Sequence, residues 1–214
     1  MSKVAIVTGA SRGLGAALAE ALAKDHHVIA MARTSGGLED LDDRIRATGG
    51  SATLVPVDLT DADACAAVCS SVRERWARAD LWAHAAIHVA PLAPAAHLDP
   101  KDLTKSLATN VTATATLIAC MAPLLEAAED GQAVFFDDPR AGAKFFSAYG
   151  ATKAAQVSLA RSWEAETARA GPRVTILTPP PMPTATRARF FPGENKSALT
   201  SPAAAARSIL AAIG

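Results

Sequence analysis

Thr8-Gly9-Ala10-Ser11-Arg12-Gly13-Leu14-Gly15 is the stretch on which the reading of this chain turns. The apolar run Val4-Ala5-Ile6-Val7 precedes it and an alanine-rich segment over 16–24 follows, so it reads as strand, tight turn and helix. In that reading Gly9 turns the chain off the strand end, Gly13 leaves room for a phosphate beside the backbone, and Gly15 allows close helix–sheet packing. The N–H groups that open the helix then face an anion. A glycine turn that only connects two elements has the same pattern, so the rest of the chain decides.

Outward from this turn, strand and helix signals alternate to the end. Strands are predicted over 27–32, 52–57, 80–85, 132–136 and 173–177, and helices over about 38–47, 61–78, 101–126, 148–169 and 202–213. Ser35-Gly36-Gly37 reads as a turn, Gly49-Gly50 as a helix stop, and Asp61 as a helix cap. Alternation of this kind predicts one α/β domain over 1–214. Its core is a doubly wound parallel sheet, a Rossmann fold, with helices on both faces.

Composition narrows the function classes. The chain has 214 residues, half of them hydrophobic, and its formal charges balance to zero, which gives no electrostatic reason for a nucleic-acid or anionic-membrane partner. No apolar run is read as spanning length, and the N-terminus lacks a basic segment followed by an apolar core, so a cytoplasmic protein is expected. Cys65, Cys69 and Cys120 are odd in number, the first two one helical turn apart among alanines, and read as small core residues. The five histidines have no ligand spacing, and no metal is expected.

With these residues in place, the chain resembles the short-chain dehydrogenase/reductase family from residue 3 to the last helix. The glycine turn, Asp58 after the third strand, Asn110 in the long helix and Tyr149-Gly150-Ala151-Thr152-Lys153 carry the resemblance. Tyr149 is the only tyrosine of the chain. The segment 184–202, with His84, is similar to the YciK-like bacterial branch. A tyrosine and a lysine one turn apart share a helix face whether they form a catalytic pair or a surface pair; the fold context favours the former.

The resemblance implies hydride transfer between a nicotinamide cofactor and the carbonyl or alcohol of a small molecule. Tyr149 would deliver the proton, and Lys153 would lower the phenol's pKa and hold the nicotinamide ribose. Asn110 would be a relay residue, or a helix asparagine bonded locally. Asp58 would bond the adenine ring, or cap the next helix. The implied cofactor contacts are Gly9, Ser11, Arg12, Gly13, Leu14, Gly15, Arg33, Asp58, Leu59, Ala85, Ala86, Tyr149, Lys153, Pro179 and Thr184. Where NAD binders place a carboxylate about twenty residues past the glycines, this chain has Arg33. Arg33 and Arg12 are two solvated arginines or a clamp on a 2′-phosphate, and their joint placement predicts NADP(H). A homodimer through the long helices is expected, and a dinucleotide-binding protein with little turnover is the second reading.

Three departures from the family pattern stand out. His84-Ala85-Ala86-Ile87 replaces Asn-Asn-Ala-Gly after the fourth strand, and Pro179-Pro180 replaces Pro-Gly after the sixth. The serine that orients the substrate carbonyl is absent, and Asp137 or Asp138 stands in its region. An ionised aspartate there would oppose the developing alkoxide, whereas a protonated one would donate as serine does, so an elevated aspartate pKa and turnover rising with acid are expected. Six strands are predicted, without the family's seventh. His88, Phe145, Phe146, Met182 and Phe190 are the expected substrate-pocket residues.

Overall fold

In the computed structural model, which describes residues 3–214, β1 (Lys3–Thr8) is buried from Val4 onward. A strand apolar at each position from Val4 to Val7 needs cover on both faces, and its side chains divide accordingly. Val4 and Ile6 enter one core with residues of α3 (Ala62–Trp76), α5 (Ala113–Glu126) and α6 (Ser147–Thr167). Ala5 and Val7 enter the other with residues of α1 (Gly13–Leu22), α2 (Ser35–Ala47) and α8 (Pro202–Ile213). The period of two along the strand thus sorts one sequence run into two layers.

The remaining strands are β2 (His26–Ala32), β3 (Ser51–Pro56), β4 (Leu81–His84), β5 (Gln132–Phe136) and β6 (Arg173–Leu177). All pairs are parallel, in the order β3-β2-β1-β4-β5-β6, so the described residues form the predicted doubly wound six-stranded sheet. The order reverses between β1 and β4, which opens a crevice at their carboxyl ends.

Several boundaries differ from the sequence reading. Ser35-Gly36-Gly37 is the first turn of α2, because Gly37 lies against Ser11: a Cβ added there would sit 2.9 Å from the Ser11 carbonyl oxygen. β4 stops at His84, and α6 stops at Thr167. α3 stops at Trp76, where Ala77 turns left-handed at φ 65°. Asp61 caps α3 as expected, accepting from the Ala64 N–H at 2.9 Å. The long helix contains a wider π turn, Leu107–Thr112, between α4 (Pro100–Ser106) and α5. By length and composition this run, Pro100–Glu126, does reach what a membrane crossing needs, contrary to the sequence reading; Leu117, Met121, Leu124 and Leu125 lie in the core. The short helix α7 (Ala185–Phe190) had no sequence expectation.

Candidate active site

A cavity of about 1120 Å³ runs along the carboxyl ends of the strands. Its floor is the glycine turn. Gly9 has φ 78°, and a Cβ there would stand 2.7 Å from the Ala86 nitrogen, while a Cβ on Gly15 would stand 2.3 Å from the Gly9 oxygen. The chain therefore crosses over itself at van der Waals limits, held by the Ala85 N–H donating to the Thr8 oxygen at 3.0 Å. Gly13 is different: at φ 60° its nearest neighbour, Thr184 Cγ2, would be 3.4 Å from an added Cβ, and it faces the cavity. No side chain caps the start of α1 and no acid lies in its first turn. An uncapped helix start on an open cavity fits a dinucleotide phosphate.

Of the residues read as cofactor contacts, all line this one cavity. Arg12 and Arg33 are exposed at its rim and, among the described residues, neither is in an ion pair. Asp58 does not cap the next helix, which Asp61 does. Its Oδ1 accepts from the Thr60 N–H at 3.0 Å and the Thr60 hydroxyl at 2.8 Å. The Thr60 N–H and then its hydroxyl hold the Asp58 carboxyl below its ordinary pKa, Arg33 adding a smaller pull. Thr184 caps α7, accepting from the Arg187 N–H at 3.3 Å.

At the other end the two aspartates separate. Asp138 accepts the Tyr149 hydroxyl on Oδ2 at 2.8 Å and a two-pronged contact from Arg140, Nε to Oδ1 at 2.9 Å and Nη2 to Oδ2 at 3.1 Å. Asp137 instead receives the Asp138 N–H at 2.7 Å, and Arg161 lies 3.9 Å away. Burial pushes the Asp138 carboxyl up, but the bonds from Arg140 and Tyr149 outweigh it and leave the group below its ordinary value. The elevated aspartate pKa expected from sequence is therefore wrong, and the reason is Arg140.

Tyr149 and Lys153 are both buried in the cavity wall. The phenol is pushed above its ordinary pKa of 10, first by burial and next by the Asp138 carboxylate. Lys153 does not lower it in this arrangement: Nζ donates to Gln156 Oε1 at 2.8 Å, and burial brings the amine down to about 8.

Asn110 lies within the π turn, fully buried, and does not line the cavity. Its side chain accepts from the His88 N–H at 2.6 Å and donates to the His88 oxygen at 2.9 Å and to Thr152 Oγ1 at 3.0 Å. It joins the segment after β4 to α6, so the locally bonded alternative does not hold. Among the expected pocket residues Met182 and Phe190 line the cavity, whereas His88, Phe145 and Phe146 do not. Phe145 is 44% exposed at φ 72°, and Phe146 packs on Phe190 at 4.8 Å between ring centroids.

The sequence reading missed Arg140, Arg187 and Gln156. Asp138-Pro139-Arg140 carried a usable signal, since an Asp before Pro favours a turn in which the side chain accepts from the N–H two residues on, here at 3.1 Å. Arg187, paired with Glu194 in α7 and the loop after it, had none.

A family model described as short chain dehydrogenase matches residues 3–195. The chain is 34% identical over 159 residues to the uncharacterized oxidoreductase MT0954 of Mycobacterium tuberculosis, an alignment spanning 72% of this chain and 59% of that protein's length. Among solved structures it superposes with TM-score 0.90 on a short chain dehydrogenase from Escherichia coli CFT073 complexed with NADPH, at 28% identity, covering 99% of this chain and 90% of that one. The oxidoreductase YciK from E. coli superposes with TM-score 0.86 at 27% identity, covering 94% and 84%.

Proposed function

Because the chain belongs to the short-chain dehydrogenase family, we propose that it is an NADP(H)-dependent oxidoreductase that reduces the carbonyl of a small molecule. The observation that carries this reading is the single cavity shared by the uncapped glycine turn, the unpaired Arg12 and Arg33, and Tyr149 with Lys153. Arg12, Gly13, Leu14, Arg33, Asp58, Leu59, Ala85, Ala86, Lys153, Pro179 and Thr184 would hold the dinucleotide, whose nicotinamide supplies the hydride when bound. Two arginines without carboxylate partners favour a 2′-phosphate over a free ribose hydroxyl.

Tyr149 is the proposed proton donor to the carbonyl oxygen. A phenol kept protonated suits reduction, because the alkoxide formed is a far stronger base; alcohol oxidation would need a phenolate that burial and Asp138 oppose. Asp138 and Arg140 take the region of the family's serine. The carboxylate holds the phenol, and the guanidinium beside it offsets the carboxylate's charge, so the oxygen that becomes negative meets a neutral pair.

One observation favours the second reading, a dinucleotide-binding protein with little turnover. The Tyr149 hydroxyl is committed to Asp138 and the Lys153 amine to Gln156, so neither reaches the other. Cytoplasmic residence and a homodimer through the long helices belong to the proposal; exposed Leu107 and Ala119 on the run Pro100–Glu126 support such a contact. Loss of NADPH absorbance with a panel of aldehydes, ketones and quinones tests the reductase reading. Tight NADPH binding without any consumption would select the second.

A further inference from the structure

Behind Lys153 a row of buried polar side chains runs from the cavity wall into the sheet. Thr8, His84, Thr114 and Gln156 are each at most 2% exposed. Thr8 Oγ1 lies 3.4 Å from the Ala83 oxygen and 2.8 Å from His84 Nδ1. Gln156 Nε2 lies 3.2 Å from His84 Nε2 and 3.0 Å from Thr114 Oγ1, which are themselves 3.0 Å apart, and Thr114 Oγ1 lies 2.9 Å from the Asn110 oxygen.

Counting hydrogens orients the row. The Lys153 ammonium can only donate, so the Gln156 carbonyl faces it at 2.8 Å and the two amide hydrogens face His84 Nε2 and Thr114 Oγ1, which makes Nε2 an acceptor. The Thr114 hydroxyl is then free to donate to the Asn110 carbonyl and the Thr8 hydroxyl to the Ala83 carbonyl. His84 Nδ1–H in turn donates to Thr8. His84 is neutral in this scheme, as full burial demands; desolvation, with Lys153 adding to it, lowers its pKa to about 3.

We propose that Gln156 is a positioning residue for Lys153, its carbonyl aimed by His84 and Thr114 so that it holds Nζ in the cavity wall and retains the proton there. The other charged or titratable groups around that amine are His84 on β4, Asp137 and Asp138 after β5, and Tyr149 on α6. Asp138 is already engaged by Arg140 and Tyr149, so the neutral amide is the amine's only direct partner among the described residues. A carbonyl acceptor stabilises the ammonium against the desolvation that would strip its proton.

The hold on Lys153 stands without the reductase reading; its effect on turnover rests on that reading. Protein labelled with 13C at the lysine Cε is titrated by NMR in wild type, Gln156→Met and Gln156→Glu, the Lys153 signal being the one missing in Lys153→Met. Removing the acceptor should lower the Lys153 midpoint by about one pH unit, and a carboxylate should raise it by about one unit or more. Where NADPH turnover is measurable, its alkaline limb should move in the same two directions. Unchanged midpoints, or a shift of the same sign in both variants, would overturn the proposal. Should Gln156→Met not fold, Gln156→Glu decides alone: a raised midpoint supports the hold, and an unchanged or lowered one refutes it.

Discussion

Arg140 changes what Asp138 can do. A buried carboxylate beside a reacting carbonyl would ordinarily take up a proton as the pH falls, yet this one is held ionised by the guanidinium and the phenol. Its folded pKa is depressed, so it stays charged through neutral pH, and the wild-type rate should show no acid activation between about pH 6 and 8. Arg140→Ala leaves only the phenol to oppose burial and moves the carboxyl upward, so a rate that climbs on acidification should appear in that variant and vanish again in Asp138→Ser/Arg140→Ala. pH–rate profiles of the three proteins check this, and a flat profile for Arg140→Ala would remove Asp138 from the site's chemistry. At the cofactor end, Arg33→Ala should weaken NADPH by about 1 to 3 kcal/mol and leave NADH nearly unchanged, as loss of a charge-assisted contact requires. Equal losses in calorimetric titrations would contradict the 2′-phosphate assignment. Tyr149 and Lys153 were legible in sequence because a lone tyrosine began a helix at the right place. Asp137 and Asp138 were not separable, since adjacent residues leaving a strand point to opposite sides and only the turn at Pro139-Arg140 decides which one reaches the phenol.

The glycine turn shows how closely an element's sequence can be tied to its neighbour. A methyl on Gly15 would lie 2.3 Å from the Gly9 backbone oxygen, and neither backbone can retreat without moving β1 or α1. Gly15→Ala should therefore cost about 2 kcal/mol or more in denaturant unfolding. Gly36, in the first turn of α2 with nothing within 4 Å of an added Cβ, is the control: Gly36→Ala should be neutral or stabilising by up to about 1 kcal/mol. Similar losses in both would show that steric contact is not what the glycine turn depends on. Strands were legible as apolar runs, β5 and β6 to the residue, β5 because it is buried from Ala133 to Phe136 with few polar positions to blur its ends. The start of α2 was not, since glycines signal a turn locally while the contact of Gly37 with Ser11 is a long-range fact. The π turn at Asn110 was hidden for the same reason: its side chain serves His88 and Thr152, which lie on other elements.

For the whole molecule, sequence periodicity predicted the alternation of strands and helices and a doubly wound parallel sheet, while the strand order and the crevice at the β1/β4 reversal come from the structure. What periodicity could not predict is how the two ends of the cavity differ. One carries the exposed Arg12 and Arg33 at its rim; the other is a set of neutralised pairs, Asp138 with Arg140 and Arg187 with Glu194, around an aromatic cluster of Phe146, Tyr149, Phe190 and Phe191. That asymmetry agrees with the proposed reading, in which the dinucleotide is held at the arginine end. The most direct test follows NADPH absorbance with a panel of aldehydes, ketones and quinones for wild type and Tyr149→Phe, with NADPH affinity measured for both. Wild type should consume NADPH with at least one carbonyl, and Tyr149→Phe should bind NADPH as well while losing that rate by at least about a hundredfold. Retained turnover in Tyr149→Phe, or a wild type that binds NADPH and consumes none, would contradict the account.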